Sequence, residues 1–227
     1  YRATIASIVA MVGHLETATG QRGSIGIGTP GAISPASGLI KNSNSTSLNF
    51  QPLDRDLERA LGRKVRLAND ANCFAMSEAT DGAAAGAAIV FGVILGTGCG
   101  GGIVIDGRLL TGANAIGGAW GHNPLPAPRG GGPFGQRCYC GRIGCIETFI
   151  SGTGLGWDHA RVTGRTLTAA QIVAGTERGE ADCQASLERY AGRLARSLGS
   201  VINIIDPDVI VLGGGMSNCR FLYERVP

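Results

Sequence analysis

Three cysteines, Cys138, Cys140 and Cys145, fall within eight positions of one another, and a histidine, His122, lies upstream of them. The spacing C-x-C-x4-C with one imidazole is the Cys3His donor set of a tetrahedral structural zinc site. Four protein ligands leave no open coordination position, so such a metal clamps a loop and holds its polar neighbours rather than activating water. Glu147 follows the last cysteine by two residues and is the first candidate for a side chain held in this way. The plainer alternative is three incidental or buried thiols. The chain has seven cysteines, an odd number, and no charged-then-apolar leader opens it. The expectation is therefore a reduced, cytoplasmic protein with zinc rather than a disulfide framework.

Two glycine-rich turns are the next candidates. Ile94–Gly102, ILGTGCGGG, reads as a strand, a turn and a returning strand. Its Gly96, Thr97, Gly98, Cys99, Gly100, Gly101 and Gly102 would let backbone N–H groups approach a phosphate, with the Thr97 hydroxyl as a further donor. No lysine follows the glycines as in a Walker loop. Val211–Ser217, VLGGGMS, places Gly213, Gly214 and Gly215 at another strand end, where ligands bind in α/β sheets. Each turn can equally be glycine for tight backbone packing alone. In LANDANC, Leu67–Cys73, the pair Asn69-Asp70 sits where a strand enters a helix. Asp70 there is either a helix N-cap or a general base that accepts a hydroxyl proton while Asn69 orients a sugar ring.

These residues need a scaffold, and the 227-residue chain, 44% hydrophobic and 16% charged, is long enough to bury one. A net charge of +3, with Lys41 and Lys64 the only lysines, marks no polybasic surface, so nucleic acid is not an expected partner. Apolar runs such as Ala88–Leu95 stop well short of the roughly 20 residues that span a bilayer, so a soluble chain with no membrane partner is expected. Apolar spacing predicts helices over Thr4–Ala18, Asp54–Leu61, Ala71–Ala85 and Ala181–Ile205, and strands in Ser24–Gly31, Lys64–Asp70 and Pro207–Ser217. Ala88–Leu110 reads as two β-rich runs with a further hairpin at Asp106-Gly107. The alternation is α/β with parallel pairing. A boundary near Gly86 divides it into an N-terminal domain, 1–86, and a C-terminal domain, 87–227, that carries the zinc loop 122–145. His14 and His159 are expected to be surface or ordinary helix residues. Trp157 is expected in the core, and Cys73, Cys99, Cys183 and Cys219 as small apolar side chains.

Taken together, GTPGAISP (28–35), KNSNST (41–46), LANDANC (67–73), GTGCGGG (96–102), GHNPLP (121–126), CYCGRIGCIETFISG (138–152) and PDVIVLGGGMS (207–217) resemble the ROK family of bacterial sugar kinases. Within it they are most similar to the fructokinases that stand close to the N-acetylglucosamine kinases. The resemblance implies an actin-like, RNase H-like two-domain fold, here partial, that binds sugar and ATP with Mg2+ and forms homodimers. It implies phosphorylation of a hexose 6-hydroxyl, D-fructose to fructose 6-phosphate first, with N-acetylglucosamine, glucose or mannose as alternatives. A non-catalytic sugar-binding repressor module is the further alternative. By position, Asp70 matches the catalytic base; Asn44, Asn69 and Glu147 match sugar contacts; and His122 matches a residue that touches sugar and ligates structural zinc. Thr97 and Gly98 match the phosphate turn, and Gly213–Gly215 the turn that receives adenosine.

The sequence departs from that pattern in four ways. Ala119 stands where the family usually has a glutamate three residues before the zinc histidine, a loss of about 1 to 3 kcal/mol of sugar hydrogen bonding. Ser47 stands in place of a tryptophan beside Asn44. The Asp-x-Gly-Gly-Thr hairpin that handles phosphates in the family has no match before Tyr1, and the last helices have none after Pro227.

Overall fold

A computed structural model of the chain describes residues 1–126 and 135–227. The middle of the expected zinc loop, 127–134, lies outside the described residues. The chain forms two compact units, residues 1–73 with 111–117, and residues 74–110 with 118–227. The division falls between Cys73 and Phe74 rather than near Gly86.

In the smaller unit, helix α1 (Arg2–Thr19) leads to strand β1 (Ile25–Thr29), a two-residue-per-strand hairpin of β2 (Ala32–Ile33) and β3 (Ile40–Lys41), helix α2 (Leu53–Leu61), strand β4 (Val65–Asn69) and the first turn of helix α3 (Asp70–Thr80), whose remainder belongs to the larger unit. β1 and β4 pair in parallel, with Ile25 opposite Val65 and Thr29 opposite Asn69, so the strand end that carries Asn69 is aligned with the start of the β1–β2 turn. Leu53 and Leu57, one helical turn apart on α2, join Ile40, Leu48 and Val65 in the core. Ile5 and Ile8 of α1 pack onto that core half-buried, while Met11 and Leu15 on the same helix are more than half exposed. α1 buries no residue completely.

The larger unit is built on a four-stranded sheet, order β7-β6-β5-β8. β5 (Ile89–Leu95) and β6 (Cys99–Ile105) form the hairpin expected from the sequence, and β7 (Arg108–Leu109) folds back across Asp106-Gly107. The chain then passes through α4 (Glu147–Ile150), α5 (Gly152–Thr163), α6 (Ala169–Glu177) and α7 (Ala181–Ile205) before β8 (Val209–Gly213) returns parallel to β5, and α8 (Arg220–Arg225) closes the unit. α7 buries Cys183, Leu187, Tyr190, Ala191, Leu194 and Leu198, the i, i+3, i+4 stripe of a core helix, against Phe91, Val93 and Leu95 of the sheet. Tyr190 is fully buried and satisfies its hydroxyl by donating to the Ile150 carbonyl at 2.5 Å. No helix among the described residues is long and apolar enough to cross a membrane.

Candidate active site

In the smaller unit the last residue of β4 and the first of α3 are the Asn69-Asp70 pair. The capping role falls to Asn69, whose Oδ1 accepts the Asn72 N–H at 3.2 Å, while Asp70 is the first helical residue and its Oδ1 accepts the Ala71 N–H at 2.8 Å and an Asn69 Nδ2 hydrogen at 3.1 Å. Asp70 is exposed, and a carboxylate in the first turn is favoured by the helix dipole. Asn69 thus relieves Asp70 of the structural duty that the sequence left open. Asn69 Nδ2 also donates to the Gly31 carbonyl at 3.0 Å. Gly31 has φ 78°, and a Cβ on it would run into the Lys41 carbonyl and come within 2.9 Å of the Ser43 nitrogen. Its bare Cα therefore lets the β1–β2 turn lie directly on the loop after β3. That loop is clamped at two points, Ser43 N–H to Asn49 Oδ1 and Asn49 Nδ2 to the Ser43 carbonyl, both 2.9 Å. Asn44 projects from the clamped loop as an exposed residue. Asn69, with Asp70 bonded to it, is in this way tied to Gly31, Gly31 lies on the Ser43 segment that precedes Asn44, and Asn49, which no sequence motif marks, holds that segment.

In the larger unit the two glycine turns touch. Gly214, at φ 80°, lies so close to the end of β5 that a Cβ would be 2.7 Å from both C and O of Leu95. Gly96, Thr97 and Gly215 line a pocket of about 1100 Å3. Much of its remaining wall comes from α5, α6 and the connection between them, with Trp157, Leu167 and Val173 among the apolar residues and Glu177 as the one charged residue among the described lining residues. Trp157 is half-buried in this wall, with the Arg161 guanidinium 5.7 Å from its ring centroid, and not in the core as expected. The other glycines of the first turn have a different reason. Gly100, Gly101 and Gly102 belong to β6, and a Cβ on Gly101 would be 2.8 Å from the Gly118 carbonyl and from Trp120. Gly213 likewise packs its Cα on the Phe74 ring, where a Cβ would meet Cζ at 2.6 Å.

The donor atoms of His122, Cys138, Cys140 and Cys145 all lie within 4.8 Å of one another. His122 Nδ1 is 3.5 Å from Cys138 Sγ, and Cys140 Sγ is 3.6 Å from Cys145 Sγ. Tetrahedral zinc with Zn–S near 2.3 Å and Zn–N near 2.0 Å needs ligand–ligand edges of about 3.5 to 3.8 Å, so the residues fit the metal. The loop is shaped for it: Cys138 N–H donates to the Arg142 carbonyl at 2.8 Å and Gly141 N–H to the Cys138 carbonyl at 2.9 Å, which folds Cys138 and Cys140 onto the same side. The other His122 nitrogen, Nε2, bonds the Tyr139 hydroxyl at 2.9 Å, the outer partner that fixes a ligating ring. Burial lowers the His122 pKa, against the pull of Glu147, and favours the neutral imidazole that a metal requires. Glu147 is buried beside the cluster, its Oε1 accepting the Cys138 thiol at 2.8 Å and its Oε2 meeting the Cys99 N–H at 3.5 Å. Burial, then that carboxylate, pushes the Cys138 thiol well up. Cys99 is pushed up by the same two causes.

The smaller sequence expectations divide. Cys183 and Cys219 are buried as small apolar residues, whereas Cys73 is exposed. His159, expected as a surface or ordinary helix residue, is fully buried on α5, its Nδ1 2.9 Å from the Ser186 hydroxyl. Beside it Asp158 is gripped by three arginines, Arg189, Arg193 and Arg161, at 2.8, 2.9 and 3.2 Å. Neither of these α5 groups was singled out as an anchor from the sequence.

Known proteins match the chain along its whole length. The model of the ROK family matches residues 1–227. The N-acetyl-D-glucosamine kinase of Salmonella paratyphi B is 41% identical over 235 residues, covering all of this chain and 78% of the relative. The structure of the ROK hexokinase from Thermus thermophilus superposes with a TM-score of 0.83 at 31% identity, over 100% of this chain and 74% of that one. A ROK family glucokinase from Streptomyces griseus, solved with glucose and AMPPNP, shares the fold at a TM-score of 0.81 and 24% identity, over 100% and 76% of the two chains. These relatives give the expectation of fructose no support, and a hexose is as far as they carry it. With the family model spanning every residue, the chain belongs to the ROK family and is a sugar kinase of the actin-like α/β fold.

Proposed function

We propose that this chain transfers the γ-phosphoryl group of ATP to the 6-hydroxyl of N-acetyl-D-glucosamine. The observation that carries the reading is the pair of touching glycine turns opening on an apolar pocket that has one aromatic ring and neither lysine nor arginine among its described lining residues. Such a wall suits a nucleoside; a bare polyphosphate would need cations. The relative at 41% identity, named for N-acetyl-D-glucosamine, favours that sugar over fructose.

In this reading Trp157 covers the base, and the backbone N–H groups of Thr97, of Gly98 and of the Gly213–Gly215 turn meet the phosphates, the Gly96 N–H being spent on the Gly98 carbonyl at 3.0 Å. Asn69 and Asn44 hold sugar hydroxyls, and the family resemblance implies Glu147 as a further sugar contact; His122 has both ring nitrogens committed, Nδ1 at the cysteine cluster and Nε2 at the Tyr139 hydroxyl. The 6-oxygen attacks the γ-phosphorus, the bond from that phosphorus to the bridging oxygen breaks, ADP leaves, and the hydroxyl proton passes to Asp70, which later returns it to water. Mg2+ arrives as part of the nucleotide complex. Among its described lining residues the pocket offers it Glu177 as a single carboxylate, and no step is assigned to it. Zinc, held by His122 Nδ1 and the thiolates of Cys138, Cys140 and Cys145, would supply a fixed cross-link of the loop. Thiolate formation removes the S–H that Glu147 Oε1 accepts, which leaves that oxygen for a sugar hydroxyl.

The test is sugar-dependent ADP release over N-acetylglucosamine, fructose, glucose and mannose. It is run on this chain and on the chain with a family Asp-x-Gly-Gly-Thr hairpin joined before Tyr1. N-acetylglucosamine is expected to give a kcat/KM at least about tenfold above the others, the discrimination that roughly 1.4 kcal/mol provides. Fructose in first place would overturn the substrate assignment. No turnover of any sugar by folded, zinc-loaded protein in either form would overturn the proposed chemistry.

A further inference from the structure

The phosphate turn is fastened from behind to the metal loop. From Cys145 to Leu155 the chain is hydrogen-bonded without a gap. The Thr148 N–H and hydroxyl both donate to the Cys145 carbonyl, at 2.9 and 2.7 Å, Ile150 N–H donates to the Ile146 carbonyl at 3.0 Å, and Ser151 N–H to the Glu147 carbonyl at 3.1 Å. Ser151 then caps α5, its hydroxyl accepting the Gly154 N–H at 3.0 Å and its carbonyl the Leu155 N–H at 2.9 Å. Gly154 is packed so tightly on the preceding segment that a Cβ would sit 2.6 Å from the Thr148 carbonyl. One end of this stiff run is a metal ligand.

The other end grips the turn. Gly152 N–H donates to the Gly96 carbonyl at 2.7 Å, and the Thr153 hydroxyl donates to the Thr97 carbonyl at 3.0 Å. A peptide unit is planar and trans, so fixing a carbonyl also fixes the direction of the next residue's N–H, which points the opposite way. The two contacts therefore aim the N–H groups of Thr97 and Gly98. A second tie runs on the other side, where Gly121, next to the ligand His122, lies against the Cys99 carbonyl with no room for a Cβ.

We infer that Thr153 is a positioning residue that aims the Thr97 and Gly98 N–H groups at the donor's phosphates, with a stiffness it draws from the metal loop, so that occupancy of the Cys/His cluster sets nucleotide affinity. The inference rests on the nucleotide reading of this turn. It concerns a side chain whose own hydroxyl hydrogen is committed to the protein, so Thr153 acts through the turn and not on the phosphate.

The experiment measures ADP and N-acetylglucosamine affinities by calorimetry on the zinc-loaded chain, on Thr153→Val and on Thr153→Ser, and repeats the ADP titration after zinc removal. Thr153→Val is expected to weaken ADP by about 3- to 10-fold, the range for one hydrogen bond, and to leave sugar affinity unchanged. Thr153→Ser, which keeps the hydroxyl, is expected to return ADP affinity to within about twofold of the parent. Zinc removal should weaken ADP in the parent and by a smaller factor in Thr153→Val, because both changes act through one contact. Unchanged ADP affinity in the valine variant, or failure of serine to restore it, overturns the role of Thr153. Equal weakening by zinc removal in parent and variant overturns the link to the metal. A parent that binds sugar but no ADP removes the nucleotide reading and this inference with it, whereas normal ADP binding unaffected at position 153 removes only the inference.

Discussion

Replacing Asp158 by asparagine tests how α5, the helix that presents Thr153 and Trp157, is anchored. Asp158 is 1% exposed and receives Arg189 at 2.8 Å, Arg193 at 2.9 Å and Arg161 at 3.2 Å, the first two from α7. Burial alone would raise its pKa, but the Arg193 and Arg189 hydrogen bonds overcome that and hold it at about 2, against an ordinary 3.8. Nearly two units at about 1.36 kcal/mol each make the charged form worth about 2 kcal/mol to the folded state. Because the folded pKa is the lower one, this contribution is complete above about pH 4 to 5 and is lost as pH falls toward 2; the two titration curves put about 1 kcal/mol of the loss above pH 3. Asp158→Asn keeps the shape and strands the arginines, which should cost about 3 to 5 kcal/mol at pH 7. Urea unfolding of parent and variant at pH 7, 5, 4 and 3 gives the gap directly. The gap should shrink by about 1 kcal/mol between pH 7 and 3. A gap that stays constant, or one below about 0.5 kcal/mol at pH 7, would refute the claim that the charge does the anchoring.

Other perturbations separate the subsites. Gly214→Ala forces a side chain into φ 80° and against Leu95; ADP affinity should fall by at least about tenfold with sugar affinity unchanged, read by calorimetry on both ligands. Gly31→Ala pushes the β1–β2 turn off Ser43 and should do the reverse, raising the sugar KM by about tenfold or more with ATP KM within twofold in steady-state assays. Cys145→Ser removes one of four ligands; zinc measured by atomic emission should drop from about one per chain to near none, and the thermal midpoint should fall by several degrees.

Most of the scaffold could be read from periodicity and punctuation. Ala181–Ile205 was bounded by its apolar stripe and is α7 to the residue, and the parallel pairing followed from strand–helix alternation. The helices α5 and α6 carry no comparable apolar stripe, and Gly152, Gly154 and Gly156 give the start of α5 the composition of a loop. In the structure Gly154 and Gly156 are glycine because the Thr148 and Leu167 carbonyls press on them. Thr168 and Gln171 form a capping box that marks the start of α6, a local signal that was there to be used. Of the site, the Cys/His set was legible because ligand chemistry fixes spacing. Gly101 and Gly213 were not, since a glycine kept for packing on Trp120 or Phe74 has the same letter as one kept for a phosphate. Long-range partners such as Arg189 and Arg193 on Asp158 leave no mark in the sequence at all, and neither does a loop clamp of irregular spacing such as Asn49 on Ser43.

The chemistry proposed here turns on Asp70. Single-turnover phosphoryl transfer to N-acetylglucosamine, measured in the parent and in Asp70→Asn with both ligands saturating, tests it most directly. The account predicts a rate lower by about 10²- to 10⁴-fold in the variant, with sugar and ATP affinities within about threefold of the parent, because Asn69 and not Asp70 caps α3. A rate within tenfold of the parent would contradict it and move the proton acceptor elsewhere.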